Sequence, residues 1–294
     1  MKYSKFAIVV SFFGLWINSF FSIGIQLFVG FLLIFSFGIL HGANDIALIA
    51  NVNSENKSFH FYKILIYYIF IVLTGAALFY VVPWLALALF ILVSGYHFGE
   101  QQWNDKLIVQ GGLLKFLFQS VYGLLILFIL FAFHQEEVQK VILAITTVSV
   151  PKFSFLFVLK ILMTLYFLMS VYFYIRNEDF KKFFVIELFY LIVFTIIFKV
   201  SSLIWGFALY FILWHSIPSI IDQIKFLYGN VSFSTFHLYF RSAFVYWLAS
   251  LAGIAMLYFI FKDHQIFNAL FFSFLASITF PHVIVIQKMF GKNK

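Results

Sequence analysis

Residues 113–133 read LLKFLFQSVYGLLILFILFAF, an apolar run interrupted by one charge, Lys115. A helix needs about 20 predominantly apolar residues to cross the hydrocarbon core of a bilayer, and this run has that length. Ten such segments can be drawn along the chain: 6–22, 25–48, 62–81, 84–103, 113–133, 155–175, 183–199, 203–224, 239–261 and 265–288. Short breaks separate them at Phe21–Gly24, Pro83 and Ser201–Ser202. The 294 residues are 64% hydrophobic and 10% charged, against about half and a quarter in a soluble domain. No water-soluble fold hides that much apolar surface. The expected fold is an all-α, polytopic integral membrane helix bundle with about ten transmembrane helices, built as one membrane-embedded domain over residues 1–294.

Loop charges give the orientation. With ten spans and the N-terminus inside, the inner side collects fourteen basic residues: Lys2, Lys5, Lys57, Lys63, Lys106, Lys115, Arg176, Lys181, Lys182, Lys225, Arg241, Lys288, Lys292 and Lys294. The outer side collects four, Lys140, Lys152, Lys199 and Lys262, and Lys160 lies within a span. Both termini are therefore expected in the cytoplasm, with the chain a multi-pass protein of the cell (inner) membrane. The first twenty residues have the charge and length of a signal peptide but no small-residue cleavage site follows, so they read as the first span. The net charge of +8 does not point to nucleic acid, because the basic residues lie singly between apolar runs and form no stripe. Cysteine is absent, which removes disulfides and thiolate metal ligands.

Ionisable groups inside spans are expensive and are functional candidates by default. They are His41 with Asp45 (LHGANDIAL), His97 with Glu100 (GYHFGEQQW), His215 (WHSIPSIIDQ), His282 (FPHVIVIQ) and Glu187. Asp45 follows His41 by four residues and Glu100 follows His97 by three. On a helix each pair shares a face, with the carboxylate just below its histidine. The four histidines fall on the second, fourth, eighth and tenth spans, which all run from outside to inside, and they lie at broadly similar depth. Helix bundles build metal sites from side chains on facing helices in this way. Neutral imidazole suits iron, copper, zinc and nickel; with no Cys and few carboxylates, a histidine-dominated iron site is the natural candidate. Ligating histidines commonly give their other N–H to a carboxylate, a role open to Asp45, Glu100 and Asp222.

A plainer reading stays open at each position. An intramembrane histidine also serves to hydrogen-bond a neighbouring helix, and Asp45, Glu100, Gln101 and Gln102 also suit the interfacial end of a helix. His60 and His237 in inner loops, and His134 and His264 at outer ends, read as solvated loop residues. Glu187 needs a partner that its sequence neighbours do not name. Gly38, Gly42, Gly95 and Gly99 flank the first two histidines and permit close helix approach. Pro218 frees a backbone carbonyl three residues after His215, so a local kink is expected there.

These motifs resemble those of the Brp/Blh family of bacterial and archaeal β-carotene 15,15′-dioxygenases. HGANDIAL matches the family's HG…D motif and GYHFGEQQW its YHFGE-W motif. The ELFYLIVF…FALYFILWHS stretch and the late PH of FPHVIVI follow in the family's order. The resemblance implies a catalytic membrane domain with a non-haem Fe(II) cofactor. It would use O2 to split β-carotene, or a related carotenoid, at the central double bond into two retinal molecules. It implies iron ligands at His41, His97 and His215. The family's remaining histidine, four residues after the WHS histidine, falls on Ser219, and His282 is the candidate to supply a fourth ligand. No acid–base residue beyond the metal site is required. Tyr96, Trp103 and Trp214 neighbour the ligands and are expected walls of a polyene tunnel. The implied partners are the carotenoid, O2 and the lipid bilayer, with a rhodopsin as downstream consumer of retinal.

Other classes remain as alternatives. A transporter or proton/ion-conducting protein would use the intramembrane His and Asp as a path and bind no iron tightly, although no internal repeat supports it. A b-type haem protein would use two histidines axially and show a Soret band. Membrane desaturases carry closely spaced histidine boxes of the H-x-x-x-H type, and none occurs here. A diverged family member with altered substrate or lost metal completes the set.

Overall fold

A computed structural model describes residues 2–52, 61–108, 112–260 and 264–292. Lys57, His60, Lys262 and Lys294 lie outside the described residues, as do the side chains of Lys2, His264 and Lys292. The chain forms α1 (Lys2–Asn18), α2 (Ile23–Leu33), α3 (Asp45–Val52), α4 (Phe61–Val81), α5 (Pro83–Trp103), α6 (Gly112–Phe133) and α7 (Gln135–Thr146). It continues through α8 (Phe153–Arg176), α9 (Glu178–Val200), α10 (Leu203–Tyr210), α11 (Ile217–Tyr228), α12 (Phe233–Ile260) and α13 (His264–Lys292). No strand occurs among the described residues. This is the all-α polytopic membrane architecture expected. In hydrocarbon a backbone amide has no water to bond, and the helix satisfies it within its own segment.

Among the described residues seven helical segments are long and apolar enough to cross a bilayer: Tyr62–Val81, Gly112–Phe133, Phe153–Arg176, Glu178–Val200, Leu203–Tyr228, Phe233–Ile260 and Ser273–Gly291. Tyr3–Asn18 and Ile23–Gly38 are shorter apolar helices. Large apolar side chains point outward along these segments; Phe28 is 69% exposed and Tyr80 91%, the pattern of a surface solvated by lipid. The breaks fall where expected: α5 begins at Pro83, and α9 gives way to α10 across Ser201–Ser202. Asn177 caps α9 by accepting from the Phe180 amide at 2.8 Å, and Gly229, at φ 80°, ends α11 in the left-handed conformation that favours glycine.

Two expected spans are not continuous α-helix. Over 25–48, α2 passes into a π-helical turn at Ile34–Gly38, and His41–Asn44 then form a turn before α3 starts at Asp45. The cause is tertiary: the Asn44 side chain donates to the Tyr239 carbonyl at 2.9 Å and accepts from Ser242 Oγ at 2.5 Å. His41 and Asp45 therefore do not share one helix face. Over 203–224, α10 passes through a π segment at Phe211–Ser216 before α11 begins, with Pro218 in its first turn. Where a kink is expected beside Pro218 the chain has this π segment, which contains His215. Isolated π turns occur frequently at functional sites.

The chain divides into two compact units. The first comprises residues 1–32, 91–142 and 149–215. Its core is aromatic. Trp103 stacks on Phe180 (centroids 5.0 Å, 18°) and meets Phe118 and Tyr122 edge-on. Helix α5 lies backbone-to-backbone on α6, because a Cβ at Gly99 would overlap the Gln119 carbonyl and one at Gly123 the Gly95 carbonyl. The second unit comprises residues 33–90, 143–148 and 216–294. There α13 packs on α3 and α4, and α11 on α3 and α12. Leu48, Val285, Ile286 and Met289 form one core cluster, and Leu40, Ile220, Ile224 and Tyr239 belong to another.

Gly99→Ala and Gly123→Ala each force a methyl into opposing backbone, which no rotamer change relieves. Each is expected to destabilise the protein by at least the roughly 1–3 kcal/mol of ordinary overpacking, read as a lower melting temperature in detergent.

Candidate metal centre

All four sequence-predicted histidines are buried: His41 is 6% exposed, His97 2%, His215 1% and His282 3%. They fall into two pairs, one inside each unit.

In the second unit, the His41 and His282 rings meet edge-on with centroids 4.8 Å apart and planes at 86°. Asp45, itself 1% exposed, bridges two partners. Its Oδ1 lies 2.7 Å from His282 Nδ1, and its Oδ2 accepts from Tyr68 OH at 2.9 Å. With the carboxylate ionised, and so only accepting, and the ring neutral, this contact would put the ring proton on His282 Nδ1 and the lone pair on Nε2. Asp45 thus stands behind His282, the partner expected of a ligating histidine, and not beneath His41. His41 is held through its backbone. Gln223 Nε2 donates to the His41 carbonyl at 2.8 Å and to Ser219 Oγ at 3.0 Å, while Gln223 Oε1 accepts from Tyr239 OH at 2.8 Å. Ser219, 1% exposed, is therefore one member of a side-chain network that fixes the His41 turn.

In the first unit, the His97 and His215 rings meet edge-on at 4.6 Å and 80°. His215 stacks on Phe211 (5.5 Å, 17°), one helical turn before it, and meets Phe98 edge-on at 4.7 Å. Glu100 Oε2 is 4.0 Å from His97 Nδ1, beyond direct hydrogen-bond reach, and its Oε1 accepts from Tyr96 OH at 2.7 Å. Tyr96 also packs on Phe116 at 4.7 Å.

The remaining predicted residues have other surroundings. Asp222 lies 3.9 Å from Lys225 with its side chain 37% exposed; its neighbour Gln223, fully buried, is the residue that reaches the His41 turn. Trp103 is fully buried in the aromatic core of the first unit. Trp214 donates to Ser11 Oγ at 3.0 Å and packs on Tyr190 and Phe194. His134, expected in a solvated loop, is 8% exposed, with Nε2 2.8 Å from the Phe198 carbonyl. It joins α6 to α7, and the turn folds it inward. His237, expected in a loop, is exposed but lies within α12. Glu187 finds three partners: Gln102 and Lys106 each donate to it at 2.7 Å and Tyr122 at 3.1 Å. Tyr68, Gln223 and Tyr239 were not singled out from sequence. Of these only Gln223 has a local signal, its i,i+4 spacing from Ser219.

A family model described as beta-carotene 15,15′-dioxygenase matches residues 32–290. No curated protein and no solved structure matches the chain.

Two substitutions separate ligand support from scaffold. Asp45→Ala removes the acceptor behind His282; were His282 to hold a metal, its affinity would fall about 10- to 100-fold, measured by titrating metal into purified protein. Glu187→Ala strands Lys106, whose side chain is 28% exposed. It is expected to cost about 3 kcal/mol, the lower end for a buried pair broken on one side, in detergent melting, while leaving metal affinity unchanged.

Proposed function

The chain belongs to the beta-carotene 15,15′-dioxygenase family, and from that membership we propose that it is an iron-dependent enzyme of the inner membrane. It cleaves β-carotene, or a related carotenoid, with O2 at the 15,15′ double bond to give two retinal molecules. The observation that carries the reading is the Tyr68–Asp45–His282 chain, a buried histidine oriented by a carboxylate. His41, His97 and His282 are buried side chains of the kind that hold a metal ion, and His215 is the fourth in the proposed ligand set. The donor set fits Fe(II): neutral imidazoles are borderline ligands that suit iron, and a histidine site can leave positions open for O2. Ser219 is not a ligand in this proposal. Its hydroxyl serves the Gln223 network, and His282 takes the place of the missing histidine.

A bound ferrous ion supplies the redox chemistry by which O2 reacts with an alkene. The chain supplies the rest. Asp45 holds the His282 proton at Nδ1 and so keeps Nε2 available to the metal. Gln223 fixes the backbone at His41. The apolar surroundings exclude water and hold the chosen double bond in reach. A membrane location suits a substrate that dissolves only in lipid. Both termini are proposed to be cytoplasmic, on the excess of basic residues in the loops assigned to the inner side.

Expression in a bacterium that accumulates β-carotene tests the reading. The wild type is expected to bleach the cells and yield retinal, and His41→Ala, His97→Ala and His215→Ala to leave the pigment intact. Purified wild type is expected to carry iron without a Soret band, and His282→Ala to lose that iron. Persistent colour and no retinal in wild-type cells would defeat the proposal.

A further inference from the structure

Beside the His41–His282 pair, wholly within the second unit, lies an apolar cavity of about 370 Å³. That volume falls in the range of about 300–1,000 Å³ typical of small-molecule sites. One end is formed by Gly42, Asp45 and Tyr68. A Cβ at Gly42 would stand 3.7 Å from His282 Nδ1, so this end wall is also the histidine pair's own surroundings. The cavity then follows α4 and α13, which run in opposite directions. Gly75 lies against Ser277 and Phe280, while Tyr68 and His282 meet on Asp45. Helix α12 runs from Asn44, at Tyr239 and Ser242, to Phe35 and Ser36, at Trp247, so the lining residues farther from the histidines include Val72 on α4, Ala249 on α12 and Phe274 on α13. Lining residues on α4 extend from Leu65 to Leu73, about 12 Å of helix.

The lining names the ligand class. Among the described residues its one carboxylate, Asp45, is engaged by Tyr68 and His282, and no Lys or Arg lines the cavity. Neither an anion nor a cation finds a counter-charge there, whereas a hydrocarbon chain finds aliphatic and aromatic walls. Resting on the proposed function, we propose that this cavity holds one arm of the linear polyene. Val72, Ala249 and Phe274 form the far wall that sets which arm length and end ring the protein accepts. Ala249→Trp and Val72→Phe add bulk at this end and leave Asp45, His41 and His282 themselves unchanged.

The test uses wild type, Ala249→Trp and Val72→Phe, expressed in β-carotene-accumulating cells and purified without O2 so that pigment is not consumed. β-Carotene per chain is read from visible absorption and iron per chain from elemental analysis. The filled variants are expected to lose copurifying β-carotene at unchanged iron content. On admission of O2 they are expected to cleave a polyene shortened at one end better than full-length β-carotene. Variants that bind and cleave β-carotene like wild type would overturn the proposal and leave the cavity to a lipid acyl chain. Equal loss of the long and the shortened polyene at full iron content would overturn the length-setting role. If wild type holds pigment that the variants lose, yet makes no retinal in O2, the cavity assignment stands and the dioxygenase reading fails.

Discussion

A polar group placed in hydrocarbon has no water to fall back on, and the rest of this structure depends on how that constraint is met. The backbone meets it by forming helices, so the fold class follows from the apolar runs alone. The buried side chains meet it through specific partners. Glu187 takes three donors from α5, α6 and the segment after α5. Asp45 takes Tyr68 and His282. Gln223 joins His41, Ser219 and Tyr239. Each cluster fixes the geometry of a different stretch of chain. Two of them end on a histidine of the candidate centre.

The same constraint explains why the helices are irregular where the chemistry is proposed. A turn interrupts the chain at His41–Asn44, and a π segment contains His215. In lipid such departures persist only where protein groups satisfy the released backbone. Gln223 does so at the His41 carbonyl and Trp247 at the carbonyls of Phe35 and Ser36. Irregular backbone around His41 is thus sustained by side chains from distant parts of the sequence, Gln223 buried and Trp247 half-buried.

This sets what the sequence makes legible. Helix positions were readable because they depend on local hydropathy, and the breaks at Pro83 and Ser201–Ser202 fall as expected. The four histidines were readable because an ionisable residue in an apolar run is conspicuous. Their partners were not. The spacing of His41 and Asp45 suggests one helix face, but a turn at 41–44, its Asn44 tied to α12, separates them, and Asp45 meets His282. Tyr68 sits in an apolar stretch with nothing local to distinguish it. Asp222 reads as a candidate because carboxylates are the familiar companions of ligating histidines, whereas Gln223 occupies the buried face of α11. Gly95 and Gly99 stood out beside His97; the complementary Gly123 on α6 did not, since its role exists only once the two backbones touch.

The central claim is that buried imidazoles in this chain hold a catalytic iron. X-ray absorption at the iron edge of the anaerobically loaded protein tests it most directly. The account predicts about one iron per chain, with a first shell dominated by imidazole nitrogen and visible multiple scattering from three or four histidines. A protein that binds no stoichiometric iron, or an iron shell without imidazole scattering, would contradict it.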